Sequence, residues 1–364
     1  MKFFEKTSTG KIMKHTAIML IFISGFTHAQ VNENVNADKE FIKASKIRSM
    51  EKTSYEYKFG EPAMLGAKIS FDEYDMFGNK TEYVQYDEEG QIEYKLTYGY
   101  DSGGNMIRQA QYDPDGSIIE KYVYTFDENN NLIEKSSYDS DESLIGKSKY
   151  EYNADNYLSK ETLIDEDGEI IQRDVYEYND AGYLNKKVTY GDEGIPIGKE
   201  NYKYDTNNNI IEEIRYLEEG EIEYKQVMEY DQRNNLTQLL KYDNEGDIIQ
   251  KEIYKYDSSN NMSEYTEYDD SGDIVKSLKY NYDAIGNMTS EIAYESDGAI
   301  LFEKIFKYNT DNKIIEETEN NNDEDTYFKI KSTYNSGGNV TDQIYYDRLD
   351  EPKRLLKTTY EFYK

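Results

Sequence analysis

The chain has 364 residues, of which 74 are acidic and 42 basic, so its formal net charge is −32, and it contains no Cys and no Trp. A surface this acidic repels nucleic acid and anionic lipid and favours solubility, cation uptake or a basic partner. The missing Cys excludes disulfides, thiol chemistry and Cys-based zinc sites.

Residues 1–29 read as an export signal. Lys11 and Lys14 form a basic start, TAIMLIFISGF (16–26) a short apolar core, and Thr27-His28-Ala29 a small-residue end suited to cleavage before Gln30. The apolar run is too short for a comfortable membrane span, and no Cys follows to carry a lipid. Both histidines, His15 and His28, fall in this segment, so the exported chain is expected to lack nucleophile–His pairs and His zinc sites. With four Lys and one Glu removed, its charge would be near −35.

Residues 30–68 are expected to form an N-terminal cap. Phe41, Ile42, Ala44 and Ile47 are spaced for a short helix within 37–50, and SYEYKFGEPAM (54–64) reads as an irregular first strand stopped by Pro62. A terminal unit of this kind would shield the first exposed edge of a repeat array.

From 69 to 364 the chain repeats every 26 residues. Tyr74, Tyr100, Phe126, Tyr152, Tyr178, Tyr204, Tyr230, Tyr256, Tyr282, Tyr308 and Tyr334 are all aromatic, each followed by Asp or Asn and, four residues on, by Gly or Asn. A second Tyr-Asp-x-x-Gly stands twelve residues later, at Tyr86, Tyr112, Tyr138 and onward to Tyr346, with Ile164 and Asn320 as exceptions. Counting from the first aromatic as position 0, apolar residues concentrate at −8, −2, 0, +6, +10 and +12. Even spacing is the signature of strands rather than an amphipathic helix.

The turn sequences agree. Asp in Tyr-Asp-x-x-Gly-Asn can bond nearby backbone N–H groups, and Gly or Asn supplies the positive φ of a hairpin loop. Such hairpins would set Tyr282 opposite Met288 and Tyr294 opposite Ile300, with even positions on one face. The same register predicts Lys279 opposite Glu291, Glu161 opposite Arg173 and Glu213 opposite Lys225 on a mixed-charge solvent face. Position −5 is basic at Lys95, Lys121, Lys147, Arg173, Lys199, Lys225, Lys251 and Lys329. The Ile residues at −7 (Ile119, Ile145, Ile171, Ile197, Ile249) hint that part of this second face is covered.

The expected fold is therefore all-β: an antiparallel hairpin array of about 11 repeats, two strands each, coiled into a superhelical or spiral sheet because a long flat ribbon would twist. Its positions are set by Tyr100, Asp101, Gly104, Tyr204, Asp205, Tyr256, Asp257, Tyr282, Asp283 and Gly286. YGYDSGGNM (98–106), YKYDTNNNI (202–210), MEYDQRNNL (228–236) and YNYDAIGNM (280–288) resemble the tyrosine–aspartate repeat of the RHS/YD family, and more weakly the Tyr/Gly hairpins of MORN repeats. The resemblance implies a β-hairpin array in a secreted or cell-surface bacterial protein. Because the chain ends at Lys364 on a strand-like segment, a stand-alone repeat protein is expected rather than a shell around a toxin module.

No catalytic constellation stands out. Asp113 and Asp115, Asp165 and Asp167, and Asp269 and Asp270 lie in acidic turns that could offer weak Ca²⁺ ligands, although turn chemistry alone explains them. EETENNNDED (316–325) is the one broken copy and reads as an acidic loop. The functional expectation is a non-enzymatic exported scaffold, periplasmic or secreted to the cell surface, mediating surface interaction or adhesion. The alternative is a carbohydrate- or Ca²⁺-binding module. Its protein or glycan partner is unspecified, nucleic acid and a membrane span are excluded, and the chain would be monomeric or associate weakly through sheet edges.

Overall fold

The computed structural model describes residues 38–322 and 326–364. The expected export signal, residues 30–37 of the expected cap and residues 323–325 of the broken repeat lie outside the described residues.

Most repeats are a nine-residue strand ending on the position-0 aromatic and a seven-residue strand ending on the second tyrosine, as in Ile274–Tyr282 and Met288–Tyr294, while Leu158–Asp165, Ile210–Leu217 and Ile314–Asn321 run one residue further. The connection is closed by Asp283. Its backbone N–H donates to the Asn287 carbonyl at 2.9 Å, and its carboxylate accepts the N–H groups of Ile285 and Asn287 and the Asn287 amide. Gly286 sits at φ +93°, a left-handed conformation that glycine adopts without penalty. Asn156 and Asn260 occupy the same place in other repeats, since Asn tolerates it best among residues with a side chain.

Tyr282 pairs with Met288 and Tyr294 with Ile300, as the spacing requires. Beyond that first pair the register moves by one. Asn281 opposes Ser290, and Thr289 is left over as a β-bulge. The step recurs in the repeat hairpins at both rims and is missing between Ile314–Asn321 and Thr326–Tyr334, the broken copy.

The bulge overturns the expected ion pairs. Lys279 opposes Ile292, Glu161 opposes Asp174, and Glu213 opposes Gln226. It also divides the faces differently, because one extra residue sends every later side chain to the other side. Positions −4 and −2 share a face with +9 and +11, whereas −5 and −3 share the other with +10 and +12. The Ile side chains at −7 are not covered: Ile119, Ile171 and Ile197 are each more than two-fifths exposed.

The sheet is not a spiral. Ile47–Lys58 pairs antiparallel on one side with Ala67–Tyr74 (Met50 opposite Asp72) and on the other with the last strand, Pro352–Phe362 (Met50 opposite Tyr360). Of the 25 strands among the described residues, Glu61–Pro62 pairs with Ile47–Lys58 alone, and the other 24 form a closed antiparallel barrel. Sheet twist, which rules out a flat ribbon of this length, is accommodated by closure rather than by an open coil. Of the stretch expected to be an irregular cap strand (54–64), residues 54–58 end a 12-residue strand that joins both ends of the array and steps in register against each partner, and Glu61–Pro62 folds back onto Tyr57 and Lys58. Closure also removes the free sheet edges through which self-association was expected.

Among the described residues the helix covers 38–44 and ends sooner than expected, since Ile47–Met50 belong to the strand. Ile42, Ile47 (1% exposed) and Tyr74 form a small buried cluster, with Met50 and Tyr360 packed against it. A side chain at Gly78 would begin 2.4 Å from the Lys39 carbonyl, so this turn lies flat on the helix. Phe41 reaches Lys313 on one side of the seam, and Lys39 reaches Gly104 on the other. Helical residues as close together as Lys39 and Phe41 can touch turns so far apart along the rim only where the sheet curls around them. The face bearing Met50, Tyr74 and Tyr360 is therefore the concave one.

Candidate ligand-binding face

The constant spacing of the motif builds a rim. The Tyr282 hydroxyl donates to the Met262 carbonyl at the bulge of the preceding hairpin, 2.8 Å away; Tyr204 reaches Leu184, Tyr256 reaches Leu236, and Tyr100 reaches Lys80 in the same way. At the seam Tyr363 donates to the Tyr74 carbonyl, and Phe126, which has no hydroxyl, interrupts the series. Neighbouring turns are tied as well, as Asn235 and Asn260 exchange amide hydrogen bonds. Asp101, Asp205, Asp257 and Asp283 hold their turns, and hydrogen bonds from the following Asn lower their carboxyl pKa values.

The acidic-turn carboxylates are used the same way. Asp113 accepts the Ser117 N–H, Asp115 the Ser117 N–H and hydroxyl, Asp165 the N–H groups of Asp167 and Glu169, and Asp269 those of Ser271 and Asp273. The Asp167 backbone thus serves the Asp165 carboxylate, and Asp270 accepts the Ser271 hydroxyl at 3.3 Å. Each pair stays within its own turn. Among the described residues no group of three acidic side chains is placed to hold a metal ion.

The concave face carries a different chemistry. Tyrosines alternate there with carboxylates, as the Tyr202 hydroxyl donates to Glu200 at 2.7 Å, Tyr224 to Glu213 at 2.8 Å and Tyr265 to Glu267 at 3.1 Å. Tyr254 and Glu252 make the same pair. Burial, reinforced by these carboxylates, raises the hydroxyl pKa values of Tyr202, Tyr224 and Tyr254, and burial with Asp174 and Glu161 raises that of Tyr176. Glu161 and Glu213 are raised too, chiefly by burial and then by Asp174 in the first case and, against a hydrogen bond from Tyr224, by Glu200 in the second.

One run on this face crosses five strands. Tyr176 opposes Lys187, Lys187 opposes Glu200, Glu200 opposes Arg215, and Arg215 opposes Tyr224. The cations are neutralised locally: Lys187 lies 3.1 Å from the buried Asp174 carboxylate, and Arg215 lies 2.7 Å from Glu223 and 3.7 Å from Glu200. Beside this ladder the hairpin YGDEGIPIG (190–198) departs from the repeat. Gly191 stands where most copies have Asp, Pro196 where most have Ile, and Gly198, matched only by Gly146, where Gln172, Tyr224 and Gln250 carry full side chains. The missing side chain leaves a depression on the concave face lined by Gln172, Lys187, Thr189, Gly198, Glu200 and Arg215. A second depression meets the same Gly198 from the outer face.

The outer face has its own repeated unit. The −5 cation stacks on the second tyrosine, as in Lys199 over Tyr216, and reaches back to a Glu, as in Lys225–Glu212 at 2.7 Å. Both faces thus carry charged side chains at mid-strand, and no helix among the described residues is long and apolar enough to cross a membrane.

No family model matches the chain, and no curated protein matches it. Solved structures do. The complex TcdB2-TccC3-TEV is similar at 13% identity and a TM-score of 0.44 over 82% of this chain, which spans 16% of that chain's length. A porin-like protein from Bacteroides uniformis is similar at 12% identity and a TM-score of 0.27, covering 86% of this chain and 98% of that one. The Tc holotoxin pore of Photorhabdus luminescens gives 10% identity and a TM-score of 0.29 over 85% of this chain. Likeness at this level carries nothing about function.

The spacing of the sequence locates the rim residues, but it points for function only to the sheet generally or to 316–325. The ladder is hidden in the sequence because its members are adjacent only once the bulges shift the register. The signal for the depression is present in Gly191, Pro196 and Gly198, three departures from the repeat within eight residues.

Proposed function

We propose that the protein is a non-enzymatic, exported scaffold that mediates surface interaction, binding its partner on the concave face of the barrel rather than through a free sheet edge. The observation that carries this reading is the repeated tyrosine–carboxylate pairing on that face, typified by Tyr202–Glu200 and Tyr224–Glu213. A repeated lining suits an extended partner that makes many similar contacts, whereas catalysis needs one distinctive constellation. Aromatic side chains with a satisfied hydroxyl give large contact area at low entropic cost.

The same reading places the barrel in water. An embedded barrel needs an outward apolar band, and a Lys or Arg facing lipid at the midplane costs about 2–4 kcal/mol. Lys121, Lys199 and Lys225 recur on the outer face and Lys187 and Arg215 on the concave one, so neither face meets that requirement. The RHS/YD-like motifs and the leader-like first 29 residues support export.

Fractionation of cells expressing the full chain tests the placement, with recovery in the soluble periplasmic or secreted fraction expected. Recovery in a carbonate-resistant outer-membrane fraction would overturn it. Saturable attachment of the labelled protein to intact cells or to isolated envelope tests the interaction itself. Of the alternatives, carbohydrate binding is favoured by the tyrosine-flanked ladder around Glu200.

A further inference from the structure

We propose that the depression at Gly198, bounded by the Tyr176–Lys187–Glu200–Arg215–Tyr224 ladder, is a binding site for an uncharged oligosaccharide; this rests on the scaffold reading and assigns its ligand class.

Three features select that class. First, the site is made by an omission. Position −6 bears Gln at 172 and 250, Tyr at 224 and Gly at 146, where a Cβ would crowd the Ile164 carbonyl at 2.9 Å; at Gly198 it would meet nothing nearer than the Tyr216 carbonyl at 3.7 Å, so there nothing in the packing demands glycine. Its φ is not in the left-handed region either. Glycine here clears space rather than turning the chain.

Second, the charges at the site are already paired. Lys187 is matched by Asp174, and Arg215 by Glu223 and Glu200. A small anion or cation would have to break one of these pairs. Hydroxyl groups, which donate and accept at once, can instead bond to the free donor and acceptor positions that each pair leaves.

Third, tyrosine rings stand at both ends of the ladder. Four strand spacings separate Tyr176 from Tyr224, roughly 19 Å at about 4.8 Å per strand. That span admits several sugar rings, whose hydroxyls meet the polar centre between two tyrosines that each carry a lysine over one ring face, Lys187 over Tyr176 at 5.8 Å and Lys241 over Tyr224 at 4.5 Å.

Calorimetry of the full chain against maltohexaose, laminarihexaose, xylohexaose and mannohexaose, with tetragalacturonate as the charged comparison, tests this. Saturable binding of at least one neutral hexasaccharide is expected, with at least a tenfold loss in Gly198→Gln. That variant installs the residue found at 172 and 250, and an unchanged melting temperature would certify its fold. Arg215→Lys, which reproduces the residue at Lys241, gives a second variant with a smaller expected loss. Unchanged affinity in Gly198→Gln, binding of the uronate alone, or no binding across the panel would each overturn the site. If the labelled protein still attaches to cells in those cases, the scaffold reading survives the failure; if attachment is also lost, both fall.

Discussion

Lys199 lies 4.1 Å above the ring centre of Tyr216, the residue directly opposite it on the neighbouring strand. The same pair recurs as Lys95–Tyr112, Lys121–Tyr138 and Lys251–Tyr268. Where Ser277 replaces the cation opposite Tyr294, Lys279 covers the ring from two residues away at 5.1 Å. In the broken copy both partners change together, to Glu303 and Asn320. The second tyrosine and the −5 cation thus pair in most repeats, whereas Lys147 stands opposite Ile164 and has no ring to cover.

A double-mutant cycle on Lys199→Met and Tyr216→Leu should give a coupling energy of about 0.5–1 kcal/mol, the range for a partly exposed cation over a ring. Urea unfolding measures it. Additive effects of the two changes would mean that the stacking contributes no stability.

The pH profile of stability should have two limbs. Asp101, Asp127, Asp205 and Asp231 have lowered carboxyl pKa values, so their contribution is present above the unfolded value of 3.8 and is lost as pH falls through the folded values. Glu161 and Glu213 are raised, so the stability they confer is present below the unfolded 4.5 and is lost as pH rises through the folded values. Melting temperature should peak in mildly acidic buffer, and Glu161→Gln with Glu213→Gln should flatten the decline toward neutrality. A profile unchanged by the double substitution would contradict the assignment.

At the alkaline end, burial pushes Tyr83, Tyr100, Tyr150 and Tyr280 up to about 12. Their stabilising effect is complete below the unfolded value of 10.0 and is lost as pH rises through about 12. Absorbance in the near ultraviolet and far-ultraviolet dichroism should show part of the tyrosine ionisation coinciding with unfolding. Complete ionisation with the sheet intact would argue against the burial of these rings.

Two glycines should respond in opposite directions. Gly286 at φ +93° has open space beside it, so Gly286→Ala is penalised by backbone strain alone, about 1–2 kcal/mol. Gly99 lies in a strand, where a side chain would meet only Arg108 Cβ at an ordinary 3.6 Å, and Thr125 and Thr333 hold the same position elsewhere. Gly99→Thr should therefore stabilise by about 0.5–1 kcal/mol. Chemical denaturation of both variants checks the signs.

Removing the last strand, Pro352–Phe362, should convert a well-behaved species into oligomers or aggregates, because it leaves Ile47–Lys58 and Val340–Tyr346 each with an unpaired edge. Light scattering after gel filtration reads the outcome. A monodisperse monomer after the deletion would mean that the seam is dispensable.

The strands, the turns and the pairings at the hairpin ends are legible in the sequence because each depends on local chemistry. Tyr282 opposite Met288 follows from the length of the Asp283–Gly286 turn alone. What lies beyond it is decided by the bulge at Thr289, which leaves no mark in composition, so spacing matches Lys279 with Glu291 when it faces Ile292. Closure is illegible for another reason. Nothing in SYEYKFGEPAM shows that the strand ending on its first five residues also pairs with residues some 300 positions away, such as Leu355 opposite Tyr55. Similarly, Glu200 and Arg215 look like two of many charged residues until the register sets them side by side.

The seam also makes the repeat number a fixed quantity. In an open array a unit can be gained or lost at little risk, since each contacts only its neighbours. Here Met50 must meet Asp72 on one side and Tyr360 on the other. Inserting or deleting one 26-residue unit would alter the circumference, the strand tilt and the angle at which these two partners arrive. Evolution of such a ring by unequal recombination is correspondingly constrained: the array can drift in sequence within each unit, as Ser277 and Asn320 have, while its length remains tied to a geometric solution that the first and last strands must satisfy together.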